Sequence, residues 1–307
     1  MTDRALMSLA LLEIRGVGPA RARRIISDLH GLGLECGEVV RSPRGLSGLL
    51  SDEVLDEFES GLNAAENVCS VLEKSGVVIV AIGDDDYPCR VANLLGNKSP
   101  IVLMLKGNTN LLSAEGVGFC GSRKASGRSL VAARETAVQV VSQGVNVVSG
   151  YAAGVDTEVH LAALETHGTT TVVLPEGISH FRVKQSLESA WDWQRTLVVS
   201  QFPPGLPWQA RNAMRRNSTI CALANALVVI EAGVSGGSFE AGLTGLDLGL
   251  PVFAASYGDS PDSAPGNELL RDKGARPLGR DRETGQANVQ PMIDLIRSGW
   301  SVQTRLL

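Results

Sequence analysis

The chain has 307 residues, 44% of them hydrophobic, with five cysteines and a formal net charge of -5 at pH 7. Its length and apolar content suit one large α/β domain with a small accessory domain, and exclude a disordered chain. The acidic balance excludes a protein that coats nucleic acid with its whole surface, so any nucleic-acid site has to be a local basic patch.

The first apolar run, ALMSLALL, is broken by Glu13 and Arg15 and has no small-residue cleavage pattern. It predicts an amphipathic helix, not a signal peptide or a membrane span. IRGVGPARARRII, from Ile14 to Ile26, has the form of a helix-hairpin-helix: glycines for a tight turn, then Ala22, Ile25 and Ile26 at helical spacing. Amides at the start of the second helix, with Arg15, Arg21, Arg23 and Arg24, can meet a DNA phosphate; equally, the module can simply pack on its neighbour. Residues 1–72 are expected to form this helical domain. Cys36, Cys69, Cys89, Cys120 and Cys221 show no CxxC spacing and read as reduced, mostly buried thiols of a cytoplasmic protein.

After Gly76 the pattern changes to short apolar runs: VVIVAI, IVLML, GVGFC, VNVVS, TTVVL, TLVVS, ALVVI and PVFAA. Runs of this kind are buried parallel strands. Segments 126–143, 156–166, 183–193, 209–224 and 239–248 are long enough for crossover helices, which predicts an α/β doubly wound, mostly parallel sheet over residues 73–281. Residues 258–266 read as a turn-rich loop. Residues 282–307 form a tail with one weak helix, Met292–Ser298, too short for a winged helix.

Three glycine loops follow strands and open helices. The first is Gly121-Ser122-Arg123-Lys124 and the second runs from Ser149-Gly150 to Gly154 and Asp156. Amides at helix starts on the carboxyl edge of a parallel sheet hold anions, and Arg123 and Lys124 add full positive charge. Asp156 reads as the cap of the helix after the second loop, and His160, four residues on, as its local partner. The third loop, Gly236-Gly237-Ser238-Phe239-Glu240, is a further anion nest. Its Glu240 either complements the helix dipole or serves as an acid/base in a nucleotide-cleaving site.

A second basic cluster, WQARNAMRRN, carries Arg211, Arg215 and Arg216 with Asn212 and Asn217, a composition suited to a curved phosphate backbone. Trp208 and Phe202 just upstream can stack on a base or fill the core. No GxxxxGK[ST] loop, zinc-deaminase signature or Gly-x-Ser-x-Gly elbow is present, so no metal or cofactor is expected.

Taken together, these motifs resemble the DNA-processing protein A (Smf) family from about Tyr87 to Ala275. Gly121-Ser122-Arg123 is similar to that family's Gly-Ser/Thr-Arg loop, and Ser149 to His160 to its Ser-Gly-Leu-Ala-x-Gly-Ile-Asp-x-x-Ala-His. Arg216-Asn217 matches the start of its Arg-Asn-Arg, leading on to Val228-Val229-Ile230-Glu231-Ala232. Ser263 to Asn267, then Leu269, Leu270, Gly274 and Ala275, resembles its Ser-x-Gly-Asn-x-Leu-Ile-x-x-Gly-Ala with one extra residue. Tyr87-Pro88 falls where the family has Tyr-Pro.

The resemblance implies an extended Rossmann-like fold behind a helix-hairpin-helix or SAM-like domain. It further implies a non-catalytic, homodimeric binder of single-stranded DNA that protects incoming strands and helps load a RecA-type recombinase in natural transformation. Arg123, Arg216 and Asn217 would be the leading phosphate contacts, with Ser122, Ser149 and Gly150 shaping the pocket and Arg182, Lys184, Arg211 and Asn267 contributing. Ser218 replaces the second arginine of Arg-Asn-Arg, and the loop after VVLPEG lacks a Tyr-Pro. The third loop lies closer to the Gly-Gly-x-Gly-Thr-x-x-Glu of nucleotide phosphoribohydrolases, so a nucleotide-binding or nucleoside-monophosphate-cleaving protein is the alternative expectation.

Overall fold

The computed structural model describes residues 1–47, 50–256 and 264–298. They form two compact units: one is Met1–Lys106 with Glu176–Phe181 and Val199–Pro207, the other Gly107–Pro175, Arg182–Val198 and Trp208–Leu307.

In the first unit, Thr2 caps α1 (Asp3–Glu13) by accepting the Ala5 amide at 3.1 Å. The turn to α2 (Pro19–Gly31) closes through Val17 N–H to Ile14 O at 3.0 Å and places Pro19 at the helix start, where its missing N–H costs nothing. Ala22, Ile26 and Leu29 form the buried stripe of α2, whereas Ile25 is half-buried. A capping box from Glu35 and Glu38 opens α3 (Cys36–Arg41). The long α4 (Asp52–Lys74) buries Leu55, Phe58, Leu62, Ala65, Cys69 and Leu72 at three- and four-residue spacing and packs on α1. Strand β1 (Val77–Ala81), α5 (Cys89–Leu95) and β2 (Val102–Gly107) follow, with β1 and β2 antiparallel.

The second unit contains β3 (Gly116–Cys120), α6 (Gly127–Ser142), β4 (Asn146–Ser149), α7 (Val155–Glu165) and β5 (Thr170–Val173). After β6 (Thr196–Ser200) come α8 (Ala210–Leu223), β7 (Ala226–Val229), α9 (Gly237–Asp247), β8 (Val252–Ala255), α10 (Pro265–Asp272), β9 (Arg276–Leu278) and α11 (Gln290–Arg297). Its strands are parallel in the order β5-β4-β3-β7-β8-β9.

Alternate residues of each strand face opposite layers. Val117, Phe119, Ala226, Val228 and Phe253 pack against α6, α7 and α11. Gly118, Leu227 and Val252 meet α8 and α9 on the other side. The sheet is therefore doubly wound, and the chain reverses direction between β3 and β7. That reversal leaves a crevice at the strands' carboxyl ends, where folds of this type receive ligands.

Two expectations need correction. Segment 183–193 forms no crossover helix; only a single 3-10 turn, Gln185–Leu187, stands there. A strand absent from the sequence reading, β9, pairs with β8. The turn-rich loop expected at 258–266 and Ser263 of the family-like motif fall largely outside the described residues, as does the end of the tail from residue 299. Cys36, Cys69, Cys120 and Cys221 are buried free thiols, and Cys89 is an exposed one.

Candidate functional site

The crevice holds a cavity of about 350 Å³ lined by Gly121, Arg123, Ala152, Asp156, Met214, Arg216, Asn217, Gly237 and Ser238, among others. All three glycine loops and the start of α8 converge on it. Each is fixed by its own hydrogen bonds.

The first loop is tied at both ends. Ser122 O accepts the Val155 amide at 3.3 Å, joining it to the second loop, and Ser122 Oγ accepts the Lys124 amide at 3.1 Å. Ser126 caps α6 by accepting the Ser129 amide at 3.2 Å. Glu231 Oε2, at the end of β7, accepts from both the Ser126 amide (3.1 Å) and its hydroxyl (2.9 Å). This carboxylate was part of a matched motif in the sequence, but its clamp on a loop 105 residues away could not be read there.

In the second loop, Gly154 is the residue at the cap of α7, with φ at 73°, a left-handed conformation that favours glycine. Asp156 is the second residue of the helix instead, and its Oδ2 accepts the Ala152 amide at 3.1 Å. It also lies 3.9 Å from Arg216 Nη1. Asp156 is thus a loop tie and counter-charge, which replaces the expected capping role. His160 does not bond Asp156 either. Its Nε2 lies 2.6 Å from Gly150 O and its Nδ1 2.6 Å from Thr170 Oγ1. A carbonyl only accepts, so Nε2 carries the proton; Nδ1 faces the Thr170 hydroxyl, which also lies 3.0 Å from Val147 O and has one proton for the two acceptors. Burial lowers the His160 pKa to about 4, with Lys184 and Arg216 acting the same way against the Gly150 bond and Asp156. The ring is a neutral strut beneath the loop.

Arg216 is 5% exposed, on the second turn of α8. Its guanidinium lies on the backbone of Gly150, where a Cβ would collide with Nη1. Burial pushes its pKa down and Asp156 opposes this; a guanidinium nevertheless stays protonated in a protein. Its Nε is fully buried and has no hydrogen-bond partner among the described residues. The cavity wall therefore carries a largely desolvated cation with one carboxylate, Asp156, as counter-charge, an arrangement suited to an anion. Beside it, Asn217 Nδ2 donates to Gly237 O at 3.0 Å and pins the third loop. Arg123 lines the same cavity while its guanidinium carbon lies 5.4 Å above the Trp208 ring.

Other expected contacts stand elsewhere. Asn267 is 2% exposed, accepts the Ala232 amide and donates to Ile230 O and Ala255 O, so it joins the ends of β7 and β8 rather than meeting a ligand. Ser149 is fully buried, with its hydroxyl on Phe119 O at 2.8 Å. Lys184 Nζ gives all three protons to Tyr151 O, Ala152 O and Thr157 Oγ1, each at 2.9 Å, and so braces the second loop from behind. Arg182 is exposed and its carbonyl accepts the Tyr151 hydroxyl at 3.1 Å. Arg211 is exposed and bonds Gln209 Oε1 at 2.8 Å, while Lys124, Gly236 and Glu240 are exposed. Glu240 faces solvent in the first turn of α9 and is not among the cavity-lining side chains. Phe202 is core, whereas Trp208 is 48% exposed. Within the first unit, Arg23 donates to Ser99 O, Arg24 lies 3.8 Å from Asp28, and Arg15 and Arg21 are exposed. No group of His, Cys, Asp or Glu that could hold a metal ion occurs among the described residues.

Residues 63–286 match the family model for DNA recombination-mediator protein A. The chain belongs to this family. Among DNA-processing protein A relatives, it is 30% identical over 199 residues to protein Smf of Escherichia coli, covering 64% of this chain and 52% of that one. It is 31% identical over 175 residues to the DNA processing protein DprA of Streptococcus pneumoniae, covering 57% and 61%. The chain thus spans less than two thirds of either relative. The crystal structure of DprA from Streptococcus pneumoniae superposes with a TM-score of 0.71 at 24% identity, over 91% of this chain and 95% of that one, and so shares the fold. A structure describing the single-stranded DNA binding mode of DNA processing protein A from Helicobacter pylori superposes with a TM-score of 0.57 at 19% identity, over 72% and 94%.

Proposed function

We propose that the crevice of the second unit binds single-stranded DNA through its phosphates, with little sequence preference. The observation that carries this reading is the pair of guanidinium side chains, buried Arg216 and exposed Arg123, that line one cavity. Amides at the start of α9 and the exposed Arg211 and Lys124 extend the positive rim. A phosphodiester supplies one delocalised negative charge per residue and acceptor oxygens suited to guanidinium donors. The description of the Helicobacter pylori relative as a single-stranded DNA binder supports the same class of ligand. The nucleotide-cleaving alternative assigned the acid/base role to Glu240, which stands outside the cavity lining.

Within this reading the protein acts in the cytoplasm as a homodimer, protects incoming strands and hands them to a RecA-type recombinase during transformation or recombination. No described helix is long and apolar enough to cross a membrane. Fluorescence anisotropy with a labelled oligo-dT and a duplex of equal length tests the binding. The wild type is expected to prefer the single strand, and Arg216→Gln to weaken it about 10- to 100-fold, the scale of a lost charged hydrogen bond. Equal binding of Arg216→Gln and wild type overturns the reading. Recombinase filament formation on strands coated with single-strand-binding protein tests the loading role; acceleration by this chain is expected, and its absence removes that role.

A further inference from the structure

Next to the phosphate cavity lies an aromatic surface that phosphate binding does not use. Trp208 is 48% exposed although tryptophan buries most of its area in ordinary folds. Met214, which lines the cavity, is 54% exposed. Arg123 links the two: its guanidinium carbon stands 5.4 Å from the Trp208 ring centroid while its side chain lines the cavity. A phosphate held by Arg123 would therefore be near a half-exposed indole, one face of which the guanidinium covers, and in a nucleic acid only one sugar separates a phosphate from its base.

We infer that Trp208 is a nucleobase subsite: an unstacked base lies on the indole face away from Arg123, while the adjoining phosphate is held in the cavity. This rests on the cavity being a phosphate site. Every base has a π-face, so the subsite accepts all four bases. It does not accept a base that is already stacked inside a duplex. Trp208 is thus a source of the preference for single strands, which phosphate contacts alone do not provide because a duplex carries its phosphates at a higher linear density than a single strand.

The test uses the full chain as wild type, Trp208→Ala and Trp208→Phe, with three labelled probes of equal length: oligo-dT, an abasic sugar-phosphate oligomer, and a duplex. Trp208→Ala is expected to bind oligo-dT about tenfold more weakly, equivalent to about 1.4 kcal/mol, by the same factor at each salt concentration. It binds the abasic oligomer and the duplex as the wild type does, and Trp208→Phe keeps most of the affinity for oligo-dT. The subsite is overturned if wild type and Trp208→Ala bind oligo-dT equally, or if the variant loses the same factor on the abasic oligomer. Wild type that binds oligo-dT and abasic backbone alike leaves the phosphate reading standing and removes the subsite. Wild type that binds neither removes both.

Discussion

The contact between Arg216 and Gly150 concentrates the chemistry of the site in two side-chain positions. The guanidinium lies where a Cβ at residue 150 would be, so Gly150→Ala forces an overpacked contact with a buried cation. Such changes cost about 1–3 kcal/mol. Chemical denaturation is expected to show that loss in the wild-type background and a much smaller one when Arg216 is also replaced by Ala, since neighbouring substitutions couple. His160 sets a pH window beneath the same glycine. Its folded pKa is about 4 against 6.5 for the free side chain, so between these values the unfolded chain binds more protons. Stability contributed by the neutral ring is therefore present above about pH 6.5 and lost as pH falls towards 4. Thermal melts across that range are expected to fall more steeply for wild type than for His160→Gln.

At the scale of elements, strands were more legible than what joins them. Eight apolar runs marked β1 to β8 because a strand buried on both faces has to be nearly continuous in hydrophobic residues. Strand β9 has only three residues, Arg-Pro-Leu, two of them exposed, and it gives no such signal. Segment 183–193 carries Val183, Leu187 and Trp191 at helical spacing, yet its chain is held otherwise. Lys184 N–H donates to the Tyr151 hydroxyl and Lys184 Nζ to the Tyr151 and Ala152 carbonyls, tertiary bonds that override the local pattern. Of the site, the glycine loops and basic residues could be read because anion binding demands those residue types. The bracing roles of Glu231, Lys184 and Asn267 could not, since a lysine or asparagine that holds a loop has the same letter as one that holds a phosphate. Salt titrations separate these roles for Lys184. Lys184→Met is expected to lower affinity for oligo-dT while leaving the salt slope unchanged, because no phosphate contact is lost. A slope that becomes shallower would instead place Lys184 on the DNA.

For the whole molecule, a net charge of -5 and a polyanionic ligand are compatible only if attraction is local. The switch point between β3 and β7 provides that locality: it gathers helix starts and the cationic side chains of Arg123 and Arg216 into one crevice. Family membership and fold agree with this architecture, and in the proposed function the crevice grips the strand through phosphate. The most direct measurement is the affinity for oligo-dT across a salt series, in wild type and Arg123→Ala. Each phosphate contact contributes about 0.7 to the slope of log affinity against log salt for a single strand, so the slope is expected to be shallower by about that amount in Arg123→Ala. Identical slopes and affinities for the two proteins would contradict it.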